Sequence, residues 1–340
     1  MPVELVARQW DRGIVMAGIS LPLLAFRHRI KRASDGAWHA LCAQEYAVRW
    51  LEAIPDANLP KDLSQYPGDR RNPFGALKIS PAQFSQACST LHRVQIENAI
   101  IAMAGAFEAY MADLIGRCLM IKPELLADSD MPFKASELVT SEALSSPLMW
   151  LSAQYVQRSV RSKSHSELIR RFGSMAKRDV SKSNQADYDS WNRFVMLRNA
   201  LVHASGLVTA DLATAWNARF PYPRKQILVE PGDLIAAHKA AYGLANTIDR
   251  FAISTIIGKS DAELLAREIF VATGETNSAA ISRRITHLLS QKFSKNEVEA
   301  AVARQRREQL DTSKEFQVRE EWLHRPHEVY ASSDSLDPSA

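Results

Sequence analysis

The chain has 340 residues, 46% of them hydrophobic, which is enough to form one large core or two smaller ones. Its 13 glycines and 15 prolines are too few for a loop-rich β-sandwich, a collagen or a low-complexity chain, so we predict an all-α fold. Because 42 basic residues oppose 38 acidic ones, the net charge is only +4 and any electrostatic partner needs a local basic patch. Cys42, Cys88 and Cys118 are odd in number and widely spaced, which argues against a disulfide framework and favours a reducing compartment.

The most apolar stretch near the start of the chain is residues 13–26. It has 14 residues, and a membrane-spanning helix needs roughly 20. Basic residues follow this stretch, whereas a signal peptide carries them before its apolar core. We therefore expect a cytoplasmic protein without a membrane partner, in which residues 13–26 form a buried strand or helix.

Helix signals appear in chain order after a proline-rich linker at residues 54–73. Ser80 and Pro81 form a typical helix start. Residues 96–120 are apolar on nearly every face and predict the central helix of a bundle. Further helices are predicted at 136–144, 147–161, 165–177, 186–204, 231–256, 261–272, 278–291 and 295–309, with a strand at 226–230.

These elements suggest four parts of the chain. Residues 1–79 form an N-terminal segment with the linker, and residues 80–257 form a helical bundle. Residues 258–318 form a small helical region, and residues 319–340 form a polar tail.

Several enzyme motifs are missing from the sequence. It contains no GxGxxG followed by a βαβ pattern, no HExxH, no paired CxxC and no GxSxG. Gly258-Lys259-Ser260 resembles the end of a phosphate-binding loop, but it follows a helical pattern and Ile253 stands where the first glycine of that loop belongs. We interpret Gly258 as a helix C-cap and expect neither a metal nor a cofactor.

One helix carries an unusual group of polar residues near its end at Gly206. A helical wheel started at Trp191 places Arg198 among the apolar residues, with Asn199 and His203 beside them. A guanidinium in an apolar stripe is costly unless it is paired or faces a cleft.

Glu108 repeats the anomaly on the predicted central helix, where it falls among apolar residues such as Ala104, Met111 and Ile115. The simplest solution is that Glu108 and Arg198 face each other and offset the cost of burial. In the alternative, this pair is purely structural and His203 only caps the end of its helix.

The segment from Arg198 to His203, Arg-Asn-Ala-Leu-Val-His, resembles the motif of the HEPN superfamily, in which Arg is commonly followed by Asn, Asp or His and then by a second His. Looser matches occur at Arg32 to His39, Arg158 to His165 and Arg319 to His324. Only Arg198 is followed by Asn within an amphipathic helix and by Val-His-x-x-Gly. Residues 104–114 are similar to the Phe-Glu-x-Tyr-x-x-Asp-Leu helix of stand-alone prokaryotic members, and the resemblance covers residues 80–256.

The resemblance implies a HEPN-like bundle that acts as a metal-independent endoribonuclease of the toxin or antiphage-defence type. Two protomers would line one cleft, and RNA and an antitoxin or defence protein would be further partners. His203 would serve as general base or acid and Arg198 would stabilise the phosphate. Asn199 would orient the imidazole or the phosphate, and Glu108 would hold Arg198. The alternative is a catalytically idle HEPN dimer that binds RNA, a nucleotide or a protein.

Two basic stretches are candidate nucleic-acid surfaces. The first is equally interpretable as a solvated helix face, and for the second a solvated face is the favoured interpretation. The first, a predicted RNA track, comprises Arg158, Arg161, Lys163, Arg170, Arg171, Lys177, Arg178 and Lys182. The second, a possible DNA-binding region, lies in residues 278–309 and includes Arg283, Arg284, Lys292, Lys295, Arg304, Arg306 and Arg307.

Overall fold

The computed structural model describes residues 18–55, 58, 79–126, 136, 147–160 and 164–308. Within these described residues 81% are helical and none lies in a strand, which confirms the predicted all-α class. The predicted helix at 136–144, apart from residue 136, and the polar tail lie outside the described residues.

The helices are numbered here in chain order. The first two are the longest, α1 (Leu21–Glu52) and α2 (Pro81–Ile121), and a 3₁₀ turn (Pro123–Leu126) follows. The middle of the chain forms α3 (Pro147–Tyr155) with a π-helical turn (Val156–Val160), α4 (His165–Ala176), α5 (Val180–Ser183), α6 (Gln185–His203) and α7 (Ala210–Ala215). The remainder forms α8 (Pro231–Ala252) with a π-helical turn (Ile253–Ile257), α9 (Ser260–Thr273), α10 (Ser278–Leu289) and α11 (Lys295–Glu308).

Local sequence explains where these helices begin and end. At the start of α2, the Ser80 hydroxyl accepts a hydrogen bond from the Gln83 backbone N–H at 3.3 Å, and the Gln83 side chain accepts one from the Ser80 N–H at 2.8 Å. This reciprocal pair is a capping box, which confirms the predicted start. Gly258 caps the π-helical turn after α8 with a φ of 47°, as the C-cap interpretation requires.

The predicted strand at 226–230 is wrong. Only an isolated antiparallel bridge joins Leu207 to Gln226. Ile227 and Val229 are buried while Leu228 is 55% exposed, so the segment is extended and alternates as a strand does. The alternation of buried and exposed residues indicated a strand because it requires an extended backbone. It does not require a neighbouring strand along the whole segment.

The start of α1 agrees with the helical alternative predicted for residues 13–26, but the extension of α1 to Glu52 was not predicted. Its first turns are buried at Leu23, Leu24, Ala25 and Phe26, so the apolar stretch after residue 17 leads into a helix. The later turns of α1 are mostly polar and partly exposed, which left little apolar periodicity to detect.

The chain divides into two compact units that are discontinuous in sequence. Unit 1 contains the described residues up to 28, those in 107–185 and those from 244 onward, whereas unit 2 contains those in 29–106 and 186–243. The sequence boundaries at 80 and 258 do not coincide with the limits of either unit. Each unit has its own aromatic cluster: Phe26 lies 5.3 Å from Tyr110 between ring centroids in unit 1, and Phe194 lies 5.0 Å from Trp216 in unit 2.

Helix α2 is long and apolar enough to cross a membrane by length and composition alone, and no other helix among the described residues is. However, 67% of its most apolar window is buried by protein, as in the core helix of a soluble protein.

Candidate functional site

Helix α6 places the three residues of the Arg-Asn-His motif on its outer side. Its buried side chains are Trp191, Phe194, Leu197 and Ala200, which recur every three residues. Arg198 is half-buried beside this row, while Asn199 and His203 are exposed.

The expectation that Arg198 lies in the middle of the apolar stripe is therefore wrong. The wheel counted Val195 and Val202 as core residues, but Val195 is only half-buried and Val202 is 44% exposed. The true buried face is rotated toward Leu197 and Ala200, so Arg198 lies at its edge.

Arg198 and Asn199 are joined by a hydrogen bond. The Nη1 atom of Arg198 donates to Oδ1 of Asn199 at 3.0 Å. The Nε atom of Arg198 is buried and has no hydrogen-bond partner among the described residues. Asn199 thus orients a guanidinium that retains unused donors.

The backbone turns sharply after His203, the last residue of α6. Ser205 and Gly206 have φ values of 52° and 75°, and the Gly206 N–H donates to the Ala200 carbonyl at 3.2 Å. This bond closes a seven-residue loop at the end of the helix, and it requires two successive residues in the left-handed region, which glycine adopts readily. The chain then leaves the helix and keeps His203 at an exposed end.

Glu108 does not occupy a core position, contrary to the prediction from its helical wheel. It is half-buried on the side of α2 that carries the exposed residues Ala102 and Gly105. The buried side carries Met103, Phe107 and Leu114. Glu108 belongs to unit 1 and Arg198 to unit 2, and the pairing of the two residues stays a prediction.

The predicted RNA track is partly neutralised by neighbouring acids. Glu167 accepts hydrogen bonds from Arg170 Nε at 2.7 Å and Arg171 Nε at 2.8 Å, and these bonds lower the pKa of Glu167 to about 2. Lys177 and Arg178 are exposed at the end of α4 and form no ion pair among the described residues. Arg158 is also exposed and Lys182 lies 3.5 Å from Asp179, while Arg161 and Lys163 lie outside the described residues.

The C-terminal basic stretch is neutralised in a similar way. Arg304 pairs with Glu263 at 3.0 Å and with Glu308 at 2.7 Å. Arg306 lies over the Phe270 ring, 5.3 Å from its centroid. These contacts favour the solvated-face interpretation of α11, which packs against α9 and α10.

Sequence reasoning missed a buried cluster of charges in unit 1. Arg117 of α2 is 3% exposed and forms ion pairs with Asp261 and Glu268 of α9. Two parallel hydrogen bonds of 2.9 and 3.0 Å join its guanidinium to the Glu268 carboxylate. Burial alone would lower the pKa of Arg117, but the two carboxylates outweigh it and raise that pKa.

The same cluster caps the start of α1. The Ser20 N–H donates to Oδ2 of Asp249 at 3.1 Å, and the Ser20 hydroxyl also bonds to Asp249. The Leu21 N–H donates to Oδ2 of Asp261 at 3.0 Å. Two carboxylates from distant parts of the sequence therefore satisfy backbone donors that a helix start leaves open.

Burial controls the ionisation of this cluster. Asp249 and Glu268 are no more than 3% exposed. Desolvation raises the pKa of Asp249 to about 7 and also raises the pKa of Glu268, although Arg117 opposes the second shift. A cluster so fully enclosed acts on the fold and not on a ligand from solution.

One sign of this cluster was present in the sequence. Arg117 is the only charged residue between Asp113 and Lys122, within the apolar end of α2. The acidic partners gave no comparable sign, because Asp249 and Asp261 fall among ordinary amphipathic helix residues.

Among the described residues, no three His, Cys, Asp or Glu side chains form a group suited to a metal ion. Comparison of the chain with family models, curated proteins and solved structures finds no match.

Proposed function

We propose that the protein is a metal-independent endoribonuclease whose site is formed by Arg198, Asn199 and His203. The observation that carries this proposal is the hydrogen bond between Arg198 and Asn199, one helical turn from the exposed imidazole of His203. A fixed guanidinium and an accessible imidazole are the groups that phosphodiester cleavage by an internal hydroxyl requires. The similarity of this segment to the HEPN motif supports the same reaction.

Arg198 is suited to bind the phosphate. Only its Nη1 atom is engaged by Asn199, and its buried Nε has no partner among the described residues. A buried donor without a partner costs about 1 to 3 kcal/mol, and part of this cost is recovered when another group accepts from the guanidinium. Phosphate oxygens accept in the planar geometry that a guanidinium offers.

His203 provides the proton transfers. It removes the proton of the 2′-hydroxyl as that oxygen attacks phosphorus, and an imidazolium returns a proton to the departing 5′-oxygen. The attacking oxygen is tethered beside the phosphate, so the substrate supplies its own nucleophile at high effective concentration. The products are a 2′,3′-cyclic phosphate and a 5′-hydroxyl.

We propose that the active form is a homodimer with α6 at the interface. On the outer face of this helix, Met196 is 37% exposed and Val202 is 44% exposed, on either side of Asn199. Exposed apolar side chains around a polar motif are typical of an interface that encloses a site. A second protomer would complete the cleft. Lys177 and Arg178, which are exposed in unit 1, are separate candidates for contacts with RNA.

A second candidate is the catalytically idle dimer that binds RNA, a nucleotide or a protein. One observation favours it: His203 has no hydrogen-bond partner among the described residues, so nothing there selects its tautomer. A toxin or defence role and a restraining partner protein remain predictions for either candidate.

Incubation of the purified protein with total RNA in EDTA tests the proposal. We expect cleavage by the wild type, products ending in 2′,3′-cyclic phosphate, no cleavage of an all-deoxy substrate and no activity in His203→Ala. His39→Ala is the matched control, because His39 is exposed and follows Arg32 in a looser match to the same motif. Loss of cleavage in EDTA or activity on DNA would contradict the mechanism, and RNA binding without cleavage would favour the idle dimer.

A further inference from the structure

A short turn after α7 is fixed to the chain that follows α6. The Arg224 N–H donates to the Val208 carbonyl at 2.8 Å, and the Val208 N–H donates to the Lys225 carbonyl at 2.9 Å. A third bond of 2.8 Å runs from the Ile227 N–H to the Gly206 carbonyl. Because Val208 and Ile227 are buried, these bonds anchor the turn firmly.

The turn consists of Tyr222, Pro223, Arg224 and Lys225 and is called the basic turn below. Arg224 has a φ of 64°, in the left-handed region that residues other than glycine rarely adopt. The backbone bonds on both sides hold Arg224 there. Unusual backbone conformations that are held in place by their surroundings are concentrated at functional sites.

The side chains of the basic turn face solvent. Tyr222 is 67% exposed, and Arg224 and Lys225 are also exposed. Neither cation forms an ion pair among the described residues. By contrast, Arg219 in the same loop donates to Asp233 at 2.9 Å and to the Leu228 carbonyl at 3.0 Å. The loop therefore uses one cation to stabilise itself and leaves two available.

We propose that the basic turn binds single-stranded RNA beside the Arg198 and His203 site. Arg224 and Lys225 contact backbone phosphates, and Tyr222 stacks on an unpaired base. This inference rests on the proposed function and extends it, because it assigns the substrate strand a path from the end of α6 onto the anchored turn.

Single-stranded RNA fits the turn better than the other anionic partners. Two cations alone would suit an acidic peptide or a duplex, but neither offers a free base face to Tyr222. Pro221 and Pro223 flank the tyrosine and restrict the backbone on both sides, which lowers the conformational entropy that binding at this position would cost.

Fluorescence anisotropy of a labelled oligouridine probe tests the proposal with the full-length protein. All titrations use the His203→Ala background, so that cleavage does not consume the probe. One variant combines Arg224→Asn with Lys225→Gln, since asparagine tolerates a left-handed backbone, and a second carries Tyr222→Ala. The charge-matched control combines Lys239→Gln with Arg250→Gln, two exposed cations outside both basic stretches.

We expect the double variant to bind the probe about tenfold more weakly and to lower the salt slope by about 1.4, the value for two lost phosphate contacts on a single strand. Tyr222→Ala should weaken binding by about tenfold with an unchanged slope, since stacking releases no counterions. The control should bind within about twofold of the background protein.

Equal affinities of the double variant and the charge-matched control would overturn the basic turn as a binding site, whether or not the wild type cleaves RNA. An equal loss of affinity for duplex RNA or an acidic peptide would overturn the assignment to single strands. If the wild type binds the probe through the turn but never cleaves it, the proposed function fails and the binding site stands.

Discussion

The Arg117 guanidinium meets the Glu268 carboxylate end-on, with Nη1 2.9 Å from Oε1 and Nη2 3.0 Å from Oε2, inside unit 1. Arg117→Met leaves Glu268 and Asp261 buried without their cation. We expect a loss of about 3 to 5 kcal/mol in the free energy of unfolding, as is typical when one partner of a buried pair is removed. Urea denaturation measures it.

Arg304→Met is the matched control, because Arg304 pairs with Glu263 and Glu308 at the surface. The free energy of unfolding of this variant should fall by less than about 1 kcal/mol. Similar losses for the two variants would show that the buried network does not hold unit 1 together.

Asp249 should make the stability depend on pH. Burial raises its pKa to about 7 in the folded state, from an ordinary value of 3.8. Between these values the folded protein keeps a proton that the unfolded chain has lost, so the free energy of unfolding falls as the pH rises, by at most about 1.4 kcal/mol per pH unit. The slope ends above pH 7, where both states are ionised.

Asp249→Asn removes this titration. Between about pH 4 and pH 7, the free energy of unfolding of the variant should therefore fall less with rising pH than that of the wild type. Other groups, such as Glu268, titrate equally in both proteins and cancel in the comparison. Parallel pH profiles for the wild type and the variant would contradict the prediction.

Adding a single methyl group at Gly206 is expected to destabilise the folded protein. The φ of Gly206 is 75°, and a Cβ there would lie 2.9 Å from Nε2 of Gln226. Gly206→Ala should lower the free energy of unfolding by about 1 to 2 kcal/mol, as measured by thermal or urea unfolding. Gly105→Ala is the control, because this exposed helical position has open space and should gain about 0.5 to 1 kcal/mol.

The proposed dimer is tested at the outer face of α6. Met196→Glu combined with Val202→Glu places two charges on the predicted interface, and desolvating them on association is costly. Light scattering at micromolar concentration should show a dimer for the wild type and a monomer for the double variant. Leu91→Glu, at another exposed apolar position of unit 2 that is 41% accessible, should remain a dimer.

Local chemistry made much of the fold predictable from the sequence. The Ser80-Pro81 start, the extents of α4 and α6 and the Gly258 cap depend on residues close together in the chain, and the structure confirms them. The strand at 226–230 failed because a single extended segment does not reveal how much of a sheet accompanies it.

The candidate site was predicted less completely, because side-chain burial depends on distant segments. The wheels placed Glu108 and Arg198 in the core, whereas Arg117 is the charge that is buried on α2. Its partners in α9 lie more than 140 residues away along the chain. Periodicity within one helix contains no information about such partners.

The capping of α1 by Asp249 and Asp261 has a consequence for synthesis on the ribosome. Ser20 is synthesised 229 residues before its partner Asp249, and Leu21 is synthesised 240 residues before its partner Asp261. At about 5 to 20 residues per second, that interval lasts on the order of ten seconds or more. During it, the apolar start of α1 has emerged without its partners, so the nascent chain offers a binding site to chaperones that recognise apolar segments until α8 and α9 are complete.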